Sequence, residues 1–204
     1  MFNVRPPKAG ASISRGQAFW PREALTIMPE EIRHCFNTRH ALSGAGLAWL
    51  MRQGVALFDC EMGDGVHDAT IRPSGSYFDT SFRGDEEGEG ALIFLCRDLE
   101  GEPEDMLAWN PRSDARYRWL GRAALLGAQN VTEPRYLGAT LPVWRTPLGW
   151  LKSGRRGVVI LDAVKAAGHL ADCGSLGAED AAHARDLARL LARPAPRILV
   201  GDAA

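Results

Sequence analysis

Gly157-Val158-Val159-Ile160-Leu161-Asp162 is a short apolar run closed by an acid, and its reading decides the fold. Four consecutive apolar residues without alternation suit a strand covered on both faces. An Ala-rich segment follows, and then Ser175-Leu176-Gly177-Ala178-Glu179-Asp180. A helix from about Asp180 to Ala192 places Ala184, Leu187, Ala188 and Leu191 on one stripe. It ends in Arg189, Arg193 and Pro194, which suit a negative carboxyl end and a hard stop. Arg197-Ile198-Leu199-Val200 closes the series as a further strand. The pattern predicts a small parallel βαβαβ unit over 150–204 with right-handed crossovers. Its strand ends carry Asp162, Glu179 and Asp180, at the edge where open α/β sheets bind ligands.

Upstream, residues 130–149 carry Pro134, Pro142 and Pro147 and read as a linker or crossover. Before them the chain is β-rich. Val55–Phe58, Ala69–Arg72 and Tyr77–Phe82 are short strand candidates, and Ala91–Arg97 with Glu104–Trp109 forms a hairpin. Tyr117–Leu120 adds another strand. Asp85 to Gly90 is an acidic, solvated loop. Pro29-Glu30-Glu31 opens one helix, because proline fits its first turn and carboxylates favour its positive end. Ser43–Gln53 is a second helix, with Gly54 as its stop. Residues 1–26 read as an extended arm anchored by Phe19 and Trp20, and 27–130 as the helical and β-rich segment. The predicted class is therefore α/β (α+β), a β-rich middle segment packed with the C-terminal unit.

The bulk numbers set limits. The chain has 204 residues, 46% hydrophobic and 24% charged, enough to bury a sizeable core. A net charge of −1 gives no overall field for nucleic acid or anionic lipid, although a local basic patch remains open. The four cysteines, Cys35, Cys60, Cys96 and Cys173, form no C-x-x-C pair, and no apolar run approaches the ~18–20 residues of a membrane span. Reduced, mostly buried thiols and a cytoplasmic setting are expected.

Several residues are candidates for chemistry. Converging carboxylates of Asp162, Glu179 and Asp180 would hold magnesium, a hard cation that prefers oxygen ligands. The simpler role for Asp162 and Asp180 is to cap the helices that follow, and that is the expected one. No resident cofactor is expected, magnesium being the one cation the acids would suit. His67-Asp68 offers an imidazole beside a carboxylate but has no nucleophile elbow nearby, so it reads as polar turn surface. His183 reads as a first-turn helix residue. Lys152, Arg155 and Arg156 lack the order of a phosphate loop and read as a basic turn. Arg112, Arg116, Arg118 and Arg122 interleave with Tyr117 and Trp119. Such a pattern binds single strands, or more simply forms a strand with arginines outward and aromatics inward. Trp144 and Trp150 should pack the linker against the core.

Residues 47–122 resemble the segment preceding the Toprim domain in primases and primase-helicases of phages and mobile elements. The helix Leu47-Ala48-Trp49-Leu50-Met51-Arg52-Gln53-Gly54-Val55 is similar to a Y-L-x-x-R-G helix. The segment Ala91-Leu92-Ile93-Phe94-Leu95-Cys96-Arg97-Asp98-Leu99-Glu100-Gly101 is similar to a P-V-R-D-x-x-G hairpin. The resemblance implies that the alternation after Gly157 occupies the Toprim position. There the expected Glu-Gly is replaced by Leu161-Asp162-Ala163, with Asp162 in the glutamate's place, and no Asp-x-Asp follows. It implies a shortened, degenerate relative that binds a protein or nucleic-acid partner. The alternatives are a magnesium-dependent enzyme acting on a phosphate ester or nucleotide, and a structural or regulatory phage protein.

Overall fold

The computed structural model describes residues 27–38, 42–61, 65–79 and 88–192. The expected arm at 1–26, with Phe19 and Trp20, and the expected strand at 197–200 lie outside the described residues. So do Arg193, Pro194 and most of the acidic loop.

The fold is α+β, built on two sheets. The first is a closed barrel in the order β1-β2-β5-β4-β3, from β1 (His67–Ser74), β2 (Tyr77–Asp79), β3 (Glu89–Arg97), β4 (Pro103–Asn110) and β5 (Ala115–Arg118). β3 and β4 form the expected hairpin, with Phe94 opposite Leu107. The second sheet has the order β6-β8-β7-β9, from β6 (Leu125–Leu126), β7 (Thr140–Trp144), β8 (Val158–Ile160) and β9 (Ser175–Gly177). β7 runs parallel to both β8 and β9, so β7, β8 and β9 make a parallel βαβαβ unit. Its helices are α5 (Pro147–Lys152) and α6 (Ala163–Leu170), and α7 (Ala181–Leu191) follows β9.

Two sequence readings are corrected. The proline-rich stretch 130–149 is not a linker: it contains α4 (Thr132–Leu137), the central strand β7 and the start of α5. Pro142 is tolerated in β7, and Pro147 opens α5 at its first turn, where a missing N–H costs nothing. Val55–Phe58 is not a strand. Helix α2 (Gly44–Arg52) ends at Gly54 with φ +87°, Val55 N donates back to Leu50 O, and the chain enters the short helix α3 (Leu57–Glu61). The first helix, α1, spans Pro29–Asn37, and its opening is as expected. The strand expected at Tyr117–Leu120 sits two residues earlier.

Alternation along the strands sorts the core into three clusters. On β3, Leu92, Phe94 and Cys96 join one cluster while Ala91, Ile93 and Leu95 join another. That explains why the β3 sequence is continuously apolar: the strand is buried on both faces. The first cluster also takes Leu50 of α2, Trp150 and Leu151 of α5, Leu126 of β6 and Val159 of β8, so barrel and sheet share one core. Val158, Leu125, Leu141 and Val143 face a third cluster with Ala166, Leu170 and Leu187. Trp144 and Trp150 pack on the shared core as expected. Cys60 and Cys96 are buried, while Cys35 and Cys173 are half-buried, one fewer buried thiol than the sequence suggests; none of the four forms a disulfide.

The corner between barrel and sheet is held by one carboxylate. Asp105 on β4 is fully buried and accepts N–H bonds from Met106 (2.8 Å), Leu120 (2.7 Å), Arg122 (2.8 Å) and Ala123 (3.2 Å). Gly121 supplies φ +69°, and a Cβ there would lie 2.7 Å from the Tyr77 ring. Burial pushes the Asp105 carboxyl up from its ordinary value, against the opposing pull of the four N–H groups. Asp105→Asn keeps one acceptor oxygen and turns an amide NH2 toward backbone donors. It should cost about 2–4 kcal/mol in urea denaturation, the scale of one or two unsatisfied buried groups. Because the folded-state affinity for the proton is raised, the wild-type margin over Asp105→Asn should be largest below the ordinary carboxylate range, near pH ~3.9. It should shrink as pH rises through the folded-state pKa.

Candidate functional site

Asp162 follows β8, and Glu179 and Asp180 follow β9, with β7 between the two strands. Two strand spacings set β8 and β9 roughly 9–10 Å apart. The register carries Arg145, the residue after β7, into the gap beside Glu179 and Asp180. Its backbone N–H donates to Glu179 Oε1 (3.1 Å) and its guanidinium to Glu179 Oε2 (3.0 Å). The same guanidinium grips Asp180 with both terminal nitrogens, at 2.8 Å to Oδ2 and 2.9 Å to Oδ1. A fork on a carboxylate is the strong geometry for such a pair. Gly149 leaves room for it: a Cβ there would lie 3.2 Å from Glu179 Oε1.

Asp180 and Asp162 also have a structural task. Asp180 caps α7 through His183 N (2.8 Å), and His183 Nδ1 accepts Glu179 N (3.2 Å) in return. This reciprocal arrangement works like a capping box and requires a neutral imidazole with Nδ1 bare. His183 is buried, as a wedge under the α7 start. Asp162 caps α6 through Val164 N and Lys165 N (3.2 and 3.3 Å), and its Oδ2 receives Arg118 of β5 at 3.1 Å. Burial alone would raise the Asp162 carboxyl. The Lys165 N–H and the Arg118 guanidinium overcome that and hold it below its ordinary value. Arg145, together with the His183 N–H, holds Asp180 far below the usual carboxylate range.

The three acids thus divide between two arginines. The structure brings Glu179 and Asp180 together and ties Asp162 to the barrel instead. Among the described residues, no group of three His, Cys, Asp or Glu side chains is arranged to hold a metal ion. Of the four arginines read as a solvent face, Arg112 is exposed, while Arg116, Arg118 and Arg122 are partly buried and bonded within the protein. Arg118 and Arg116 turn toward the sheet, and Arg116 donates to Arg145 O (2.5 Å) and to Asp114 (3.0 Å). Asp114 accepts Trp109 Nε1 at 2.7 Å. Tyr117 and Trp119 do pack inward. No local pattern marks Arg145, which lies in the proline-rich stretch that reads as a linker; the one signal is its place after the apolar Leu141–Trp144.

A groove of about 1090 Å³ opens between α2 and the ends of β1, β3 and β4. Trp49 and Arg52 of α2 form one wall, Asn110 and Arg112 another, and Gly90 lies in its floor. Asp68 anchors the α2 wall by accepting Ser43 N (3.1 Å) and Ser43 Oγ, so it is a clamp and not the turn surface expected. His67 lies in β1, stacked on Phe36 at 4.1 Å. Lys152 ends α5, Arg155 and Arg156 lie in the expected turn before β8, and Arg155 Nε donates to Asp59 O at 2.9 Å. No helix among the described residues is long and apolar enough to cross a membrane.

No family model matches the chain, and no curated protein matches it. A crystal structure does: the primase of Aquifex aeolicus, zinc-binding and RNA polymerase domains, superimposes with a TM-score of 0.55 at 10% identity. The two share a fold. The match covers 82% of this chain and 53% of the primase chain, so the protein spans about half the length of that neighbour.

Arg145→Ala would leave Glu179 and Asp180 as neighbouring like charges. The Asp180 pKa, read by side-chain carboxyl NMR, should rise toward the ordinary range. In the wild type, the depressed pKa makes this contribution to stability present above pH ~3.9 and lost as pH falls through the folded-state value. An unchanged Asp180 titration in the variant would mean that the helix cap alone sets it.

Proposed function

We propose that the chain is a degenerate Toprim-like accessory protein of phage or mobile-element replication, acting by binding a nucleic-acid or protein partner without metal-dependent chemistry of its own. The observation that carries this is the Arg145 guanidinium lying across Glu179 and Asp180. A magnesium ion needs those same oxygen lone pairs, and a tethered cation already occupies them. The third acid is engaged elsewhere, by Arg118 and the α6 backbone. A Toprim unit carries a glutamate followed by glycine at the end of an apolar strand. Here the three parallel strands run into Arg145-Thr146, Leu161-Asp162 and Ala178-Glu179, and none supplies that pair. The primase-related fold supports a setting in nucleic-acid metabolism.

Thermal denaturation with and without excess magnesium tests the reading, alongside assays for primer synthesis and nucleotide hydrolysis. The expected result is no magnesium-dependent rise in melting temperature and no turnover. A rise that disappears in Asp162→Asn would overturn the proposal in favour of a magnesium-dependent enzyme acting on a phosphate ester or nucleotide.

A further inference from the structure

We infer that the groove beside α2 is the seat of the chain's own amino-terminal arm, with Phe19 and Trp20 laid against Trp49 and Arg22 beside the acids at the start of β3. The seat is separate from the strand-end acids, and any partner of this face must first displace the arm.

The groove is formed before anything enters it. Ser43 caps α2 by accepting Gly46 N at 3.1 Å, and Asp68 of β1 accepts Ser43 N at 3.1 Å in turn. Gly46 permits that approach, since a Cβ there would lie 2.8 Å from Asp68 Oδ2. On the opposite wall, Asn110 Oδ1 accepts Arg112 N at 2.9 Å while its amide donates to Glu89 Oε2 at 3.1 Å. Trp49 is half-buried and backed by Trp109, with ring centroids 6.4 Å apart. Ala45, Ala69, Ala91 and Leu92 extend the apolar lining. The floor at Gly90 is open, with nothing within 4 Å of where a Cβ would sit. An open slot beside a fixed indole suits a further aromatic side chain, because rings pair offset or edge-on at roughly 4.5–7 Å.

Charge selects the occupant. In the lining, Arg52 and Arg112 stand against Asp68 and Glu89, so the described walls are neutral. Asp85, Glu86 and Glu87 immediately precede Gly88 of the lining. At ~3.8 Å per residue step they fall within about 4–12 Å of it, close to one Debye length. The groove mouth is therefore acidic, which disfavours a polyanion and favours a cationic segment. Residues 1–26 carry Arg5, Lys8, Arg15 and Arg22 against the single acid Glu23, and Arg22 stands two positions from the aromatic pair Phe19-Trp20.

Connectivity favours the chain's own arm over a second molecule. Phe36, near the end of α1, stacks on His67 at 4.1 Å, and His67 precedes Asp68 of the groove. The nine residues of α1 span ~13 Å. Ile27, just before that helix, therefore lies on the order of 25 Å from the groove. Trp20 is seven positions before Ile27 and can reach ~23–25 Å along the backbone, to which its side chain adds. A tether of that length holds the arm at a local concentration of roughly millimolar, which a free partner or a second copy at micromolar does not match.

Limited trypsin digestion of the full chain, read by intact mass, tests the seat at the bonds after Arg15 and Arg22. Cleavage tracks the open population, so an arm seated about nine-tenths of the time is cut about tenfold more slowly than a released one. Trp20→Ala and Gly90→Leu should each speed cleavage about tenfold, the first by removing the anchor and the second by filling the floor. Trp49→Ala should do the same, with circular dichroism checking its fold because Trp49 also touches the core. The wild-type rate should be the same from ~1 to ~100 µM protein, because the seat is filled within one chain. A rate that falls as protein concentration rises would overturn the tethered seat in favour of a second copy's arm. Cleavage left unchanged by Trp20→Ala and by both groove variants would overturn the seat altogether.

Discussion

A single buried carboxylate fixes how the two halves of this protein meet. Asp105 lies on the barrel hairpin, yet three of its four N–H donors belong to the chain leaving the barrel for the sheet. Isolating a carboxylate from water is costly, and only a convergent set of donors makes it tolerable. The donors can converge only when residues 120–123 take one path, so the carboxylate selects that path. Lys165 of α6 then reaches Gly121 O and Arg122 O from the sheet side. Arg118 leaves the end of β5 to pair with Asp162. The corner thus delivers a barrel arginine to a strand end of the sheet.

That delivery changes the chemistry of the sheet edge. Open parallel sheets concentrate ligand sites at their carboxyl ends, and this edge has the acids for one. Each of them is matched by an arginine: Asp162 by Arg118, and Glu179 and Asp180 by Arg145. Asp162 and Asp180 also cap α6 and α7, so charge pairing and helix initiation use the same two side chains. The fold is shared with a primase, and here the strand ends are bound internally.

Much of the fold was legible in the sequence, for identifiable reasons. Val158–Ile160 and the β3–β4 hairpin are apolar on both faces, which makes their runs continuous. Pro29 and Ser43 mark helix starts through chemistry that acts within a few residues, as do the capping roles of Asp162 and Asp180. What could not be read was set by contacts distant in sequence. β7 hid behind prolines because its place between β8 and β9 is a tertiary matter. Arg145 reaches Glu179 and Asp180 across more than thirty positions, and no local pattern announces such a pair. Asp105 looks like one more acid beside Glu104 at the start of a strand until the turn that surrounds it is seen.

The central claim is that a guanidinium, and not a metal ion, is the cation at the strand ends. Crystals grown with manganese, examined at the manganese absorption edge, test it most directly. The account predicts no anomalous peak at Glu179 and Asp180, with Arg145 forked onto Asp180. A peak coordinated by Asp162, Glu179 and Asp180, with Arg145 displaced, would contradict it.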